Sequence, residues 1–197
     1  MVESHPPTYY INNNIRLKKI VTYLHVEGQV GFREGDLLKP KNRKQAIEYD
    51  TAVAFLHLYN QALKTSYEII ELSDIPDVIC KDRLTNEELY LEITLHEDRK
   101  GEIPFLLGQT KEKPKNRASV RLTGQNEDES LPALVEAVTK KLLKDYGRQV
   151  ALVVRHMSSR SWDQDVEQIK RLLGLQNNPF DRGIWVLTSD LKIIRLD

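Results

Sequence analysis

Residues 75–94 read IPDVICKDRLTNEELYLEIT. Two runs, PDVICKD and EELYLEIT, flank the polar tetrapeptide RLTN, which is the pattern of an antiparallel hairpin. Folded about that loop, Asp82 opposes Glu87, Lys81 opposes Glu88, Ile79 opposes Tyr90 and Asp77 opposes Glu92. Directly opposed residues share a face, with β-carbons about 4.5–5.5 Å apart. Alternation puts Leu89, Leu91, Ile93 and Leu95 on one face, the expected core face. It puts Tyr90, Glu92, Thr94 and His96 on the other. That second face carries two opposed carboxylates, Asp77 and Glu92. Like charges facing each other weaken a sheet. A cation between them reverses the sign, and hard divalent ions such as magnesium are held by one or two carboxylates with water and phosphate oxygens. The plainer reading is a solvated outer face, where acids simply point into water. A one-residue slip in register would dissolve the pair.

Outward from the hairpin, the pattern alternates helix and strand. From about Ala46 to Ser66, Val53, Phe55, Leu56, Tyr59, Ala62 and Leu63 follow helical spacing, and YEIIEL suits a strand after it. Downstream, IPFLLG (103–108) suits a short strand before a long polar loop. Ser130 and Pro132 open a helix with a stripe of Leu134, Val135, Val138 and Leu142. Lys140, Lys141 and Lys144 suit its C-terminal end, and Gly147 its termination. QVALVV (149–154) is nearly all apolar, as in a strand covered on both faces. Ser161 and Gln164 form a capping box before a helix that buries Val166, Ile169, Leu172 and Leu173 and stops at Gly174. IWVLTS and LKIIRL are two more strands. Strand, helix and strand at this spacing indicate a parallel right-handed crossover. The fold class expected is α/β, a three-layer mixed sheet flanked by helices. The division expected is an N-terminal extension, 1–45, with a short helix near 14–27, and an α/β domain, 46–197.

A chain of 197 residues holds one good-sized core. Charged residues make up 29% and hydrophobic ones 40%, the balance of a folded water-soluble protein. No apolar run approaches the roughly 20 residues of a membrane helix, and MVESHPPTYYINNN lacks the plan of a secretion signal. Cytoplasmic location without membrane association is therefore expected. The single cysteine, Cys80, excludes an internal disulfide and a cysteine-rich zinc site; its place in a strand suits a small core residue. The net charge is zero, which argues against a nucleic-acid footprint over the whole protein. Locally, KEKPKNRASVR (111–121) is basic. Ser158, Ser159 and Ser161 form no nucleophile elbow, the glycines match no phosphate loop, and His25 and His57 have no histidine partner at i+4.

Pro76-Asp77, followed after fourteen residues by Glu92-Ile93-Thr94, resembles the motif of the PD-(D/E)XK nuclease superfamily, the restriction-endonuclease-like fold. The expected order of elements over about 46–196 resembles that family as well. The resemblance implies that Asp77 and Glu92 bind magnesium or manganese, that the reaction is phosphodiester hydrolysis, and that DNA is the partner; a homodimer is a further expected partner state. Where the family has lysine two residues after the glutamate, this chain has Thr94, which carries no charge. Some members place the basic group elsewhere. Lys111 and Lys113 are the candidates here, with Gln109 as a polar neighbour. Glu48 matches the extra acid that some members carry on the preceding helix, and His96 continues the Glu92 face. Arg155-His156 stands at the end of the apolar strand, a common ligand position in parallel sheets; Arg155 reads as a capping or surface residue. Three functions stand open: a metal-dependent nuclease, a nuclease-fold module that binds nucleic acid or protein without catalysis, and an unrelated α/β domain.

Overall fold

The structure is a computed structural model that describes residues 40–96, 104, 109–111, 130–156, 166–175, 178–188 and 190–197. The helix expected near 14–27, Lys113 and the capping box at 161–164 lie outside the described residues.

Helix α1 spans Arg43–Leu63, beginning three residues before the expected Ala46. Its start is set by Asn42, an extended N-cap whose side chain accepts a 2.9 Å bond from the Gln45 amide. Gln45 answers by accepting from the Lys41 amide at 2.9 Å, so one open donor of the first turn and the amide just before the cap are satisfied together. The helix ends at Lys64 in the left-handed region, φ 55°. Asn60 then ties helix to sheet: its side chain donates to the Tyr67 carbonyl at 2.9 Å and accepts from the Tyr67 amide at 3.0 Å.

Strands β1 (Tyr67–Leu72), β2 (Val78–Asp82) and β3 (Glu88–His96) form an antiparallel meander. Helix α2 (Ser130–Leu142) precedes β4 (Val150–His156), and helix α3 (Val166–Leu173) precedes β5 (Ile184–Leu187) and β6 (Ile193–Arg195). The six strands form one sheet in the order β1-β2-β3-β4-β5-β6. β3, β4 and β5 run parallel, and β6 returns antiparallel. This is the mixed α/β sheet expected. At IPFLLG the one described residue, Pro104, is helical rather than extended.

The β2–β3 register is the one read from the loop: Val78 opposes Leu91, Ile79 opposes Tyr90, Cys80 opposes Leu89 and Lys81 opposes Glu88. Asp82 holds the turn. Its carboxylate accepts from the Leu84 and Thr85 amides at 2.8 and 2.9 Å and from the Ser66 amide at 2.7 Å. These backbone bonds, Ser66's first, hold its pKa below the usual aspartate value.

Both faces of the sheet are covered. On one, Leu89, Leu91, Ile93, Ala151 and Val153 pack under Ala52, Phe55 and Tyr59 of α1. On the other, Val150, Leu152, Val154, Ile184 and Val186 pack under Leu134 and Val138 of α2 and Ile169 of α3. The expectation of a single leucine core face with a solvated reverse is therefore corrected. The parallel strands have helices on both sides: the two parallel crossovers carry α2 and α3 over one face, and α1, which precedes β1, covers the other. Cys80 is fully buried, and burial pushes its thiol pKa up, as suits a packing residue.

Candidate functional site

The acids of the hairpin sit inside this sandwich. Asp77 and Glu92 are 4% and 5% exposed, too little for a solvated face. Asp77 directly precedes β2, one residue beyond the Val78–Leu91 pair, and its Oδ2 accepts a 2.8 Å bond from the Ile93 amide. That bond ties it to the residue next to Glu92 and turns its other oxygen, Oδ1, outward to Lys44 Nζ at 3.3 Å.

Lys44 lies in the first turn of α1, and Glu48 lies one turn later. The Lys44 ammonium also pairs with Glu48, so it spans the two acids that the helix start and the β2 start bring together. Glu48 is 5% exposed, and its Oε2 makes no hydrogen bond. Burial pushes the Glu48 carboxyl above its ordinary pKa; Lys44 opposes the shift and the Asp77 charge adds to it. For Lys44, burial pulls the pKa down, but the bonds and charges of Glu48 and Asp77 outweigh it, and the ammonium is held above its usual range.

Glu92 faces α2. Lys141, in the last turn of that helix, places Nζ 2.5 Å from Glu92 Oε1. Glu92 Oε2 is buried without a hydrogen bond. Beyond the helix end, Tyr146 packs against Phe180 with the rings tilted by 33° and their centroids 5.0 Å apart. Burial first, then the nearby charges of Glu92 and Asp77, raise its phenol pKa. Its hydroxyl has no partner within hydrogen-bonding geometry. The bond from the Ile93 amide to Asp77, one residue from Glu92, joins the two halves of the cluster.

Three buried carboxylates are thus met by two ammoniums. This answers why acids occupy a sheet interior: lysines reach them from the start of one helix and the end of another. Two buried carboxylate oxygens, Glu48 Oε2 and Glu92 Oε2, still lack a partner. Unmet acceptors beside an excess of negative charge suit a hard cation, which needs only one or two carboxylates. Among the described residues, no group of three or more acid, histidine or cysteine side chains is gathered closely enough to hold a metal by itself.

The other expected residues fall differently. Thr94 follows Glu92 on the same strand and is half-buried. Lys111 and Gln109 are exposed. His96 is not alone: it is buried, and its Nδ1 lies 2.7 Å from Nδ1 of His156, paired with it across β3 and β4. The rings stack with centroids 4.9 Å apart. The reading of Arg155 as a capping or surface residue is also corrected, and its neighbour is buried beside it. His156 is 1% exposed. The Arg155 guanidinium turns under α1 and donates to Thr51 Oγ1 at 2.9 Å. Burial lowers its pKa, against the pull of Asp50.

Lys44 and Lys141 were missed in the sequence. Lys44 had a local signal: Asn42-x-x-Gln45 marks a helix start, which puts Lys44 and Glu48 at i and i+4 on one face. Lys141 had none, because its partner is 49 residues away. The chain matches no protein-family model, no curated protein and no solved structure.

Proposed function

We propose that this protein is a divergent member of the restriction-endonuclease-like nucleases and hydrolyses phosphodiester bonds in DNA with magnesium or manganese. The observation that carries the reading is the Lys141 ammonium on Glu92, two residues before the Thr94 that stands where the motif has its own lysine. The helix, antiparallel hairpin, helix and strand leading to it follow the order that the family uses.

One or two of the acids Asp77, Glu92 and Glu48 would hold the cation, with water and phosphate oxygens completing its shell. When bound, such an ion neutralises charge on a phosphate and makes water a better nucleophile. The chain supplies the rest. The Ile93 amide fixes Asp77, leaving Oδ1 as its presented oxygen. Lys141 fixes Glu92 through Oε1 and leaves Oε2 for a ligand. Its ammonium is the positive charge nearest Glu92, and it offers a donor to an attacking water or to a phosphate oxygen. Thr94 offers a hydroxyl on the Glu92 face but no charge.

The test is nicking of supercoiled plasmid with manganese by the purified chain. Wild type nicks the plasmid; Asp77→Asn, Glu92→Gln and Lys141→Met lose the activity, and Lys111→Ala keeps it. Nicking that survives Asp77→Asn and Glu92→Gln would be contamination. A second reading, a binding module without catalysis, is favoured by the pairing of the acids with lysines. Absence of nicking in every protein, Thr94→Lys included, with no manganese effect on the melting temperature, selects it.

A further inference from the structure

We infer that Lys44 is an internal counter-ion that sets the affinity of the acid cluster for a divalent cation, by occupying the carboxylate oxygens such a cation would use. The inference rests on the reading that Glu48 and Asp77 hold a cation, and it concerns how tightly they do so.

Four oxygens belong to these two acids. Asp77 Oδ2 is taken by the Ile93 amide. Asp77 Oδ1 and Glu48 Oε1 are both taken by Lys44 Nζ. Only Glu48 Oε2 makes no bond. The one Asp77 oxygen that the backbone leaves available is therefore the one that the ammonium holds. A divalent ion bound there would sit within contact distance of that ammonium, and like charges so close in a partly dry site repel strongly.

Lys44 is built to yield. Its side chain is 62% exposed, whereas those of Glu48 and Asp77 are 6% and 5% exposed. The ammonium can swing into water while the acids stay in place. Its position argues the same way. A lysine in the first turn opposes the helix dipole, which favours acids there, and α1 has no acid in that turn. The two carboxylates are what hold it. Lys141 differs: its side chain is 22% exposed, enclosed at the foot of α2, and its pair with Glu92 stays in place.

Two opposite substitutions read the competition. Lys44→Met keeps the length of the stem and removes the charge. Lys44→Arg keeps the charge and adds a fork that suits carboxylates. Manganese chloride titrated calorimetrically into each full-length protein gives the affinities. Lys44→Met binds manganese more tightly by roughly tenfold, the equivalent of 1.4 kcal/mol; Lys44→Arg binds no more tightly than wild type. Without manganese, Lys44→Met melts below wild type, because two buried acids have lost their counter-ion, and its melting temperature rises further on adding manganese. If Lys44→Met does not fold, Lys44→Gln carries the same expectation. Wild type that binds manganese while the neutral variants bind equally or more weakly overturns the role of Lys44 and leaves the cation reading standing. No binding by any of the proteins overturns both.

Discussion

The Lys141–Glu92 pair can be measured without a substrate. Glu92 is 7% exposed at its side chain and Lys141 22%, with Nζ and Oε1 2.5 Å apart. Two unit charges at about 4 Å attract by about 4 kcal/mol at an effective dielectric of 20, before desolvation is subtracted. Removing one member of a buried pair costs about 3–5 kcal/mol, because the other charge stays behind unmet. Glu92 is at the severe end of that rule, since its Oε2 has no partner to begin with. The partial exposure of Lys141 lets water in and moves the figure down. We expect Lys141→Met to cost about 3 kcal/mol. Lys144→Met, on an exposed residue just beyond the same helix, should stay within about 0.5 kcal/mol of wild type. The double variant Lys141→Met with Glu92→Gln removes the stranded charge, so it should be more stable than Lys141→Met alone. Urea unfolding of wild type, both singles and the double gives the coupling energy, expected at about 2 kcal/mol. A coupling energy near zero, or a Lys141→Met loss no larger than that of Lys144→Met, would refute the pair and the catalytic role built on it.

Asp82 predicts an acid-sensitive hairpin. Its folded pKa is depressed, so its stabilisation is fully present above its unfolded value of about 3.9 and is lost as pH falls through the lower folded value. Asp82→Asn should flatten the dependence of the urea midpoint on pH below about 4 relative to wild type; parallel curves would count against it. Gly183 has φ +93°, and a β-carbon there would meet Asp197 Oδ1 and Trp185 Nε1 at 3.0 Å. Gly183→Ala should therefore cost more than about 1 kcal/mol in the same assay, by strain at φ and by displacing the Asp197 bond to the Ile184 amide. His156→Ala removes a fully buried ring and its bond to His96, with an expected loss of about 3 kcal/mol by thermal unfolding; a loss under about 1 kcal/mol would mean that the end of β4 is not packed as described.

Local pattern was enough for the elements and for one register. Period-2 alternation in ELYLEITL and the four-residue loop fix which β2 residue meets which β3 residue, because a hairpin is short and its register follows from its turn. The same loop count put Asp77 beside Glu92, and helical spacing put Glu48 at the start of the preceding helix. The unbroken apolar run VALVV announced a strand with both faces covered, and Gly174 marked the end of α3.

What the hairpin face looks at was not legible. Alternation says that Glu92 and Leu91 point opposite ways; it does not say that α2 lies over the Glu92 side. That follows from the parallel pairing of β3 with β4, since the chain must cross the sheet to make it and leaves a helix on the face it crosses. Through that crossing Glu92 is buried rather than solvated and Lys141 becomes its partner, while Asp77 and Glu48 meet Lys44 at the start of α1 and Lys111 is left in the open. The His96–His156 pair has the same origin, two residues 60 apart made neighbours by parallel register. Residue types and their local spacing determined which acids this protein presents together. Which cations meet them was decided by contacts between segments far apart in the chain, because the energy of a buried charge depends on whatever the tertiary fold brings within a few ångströms of it.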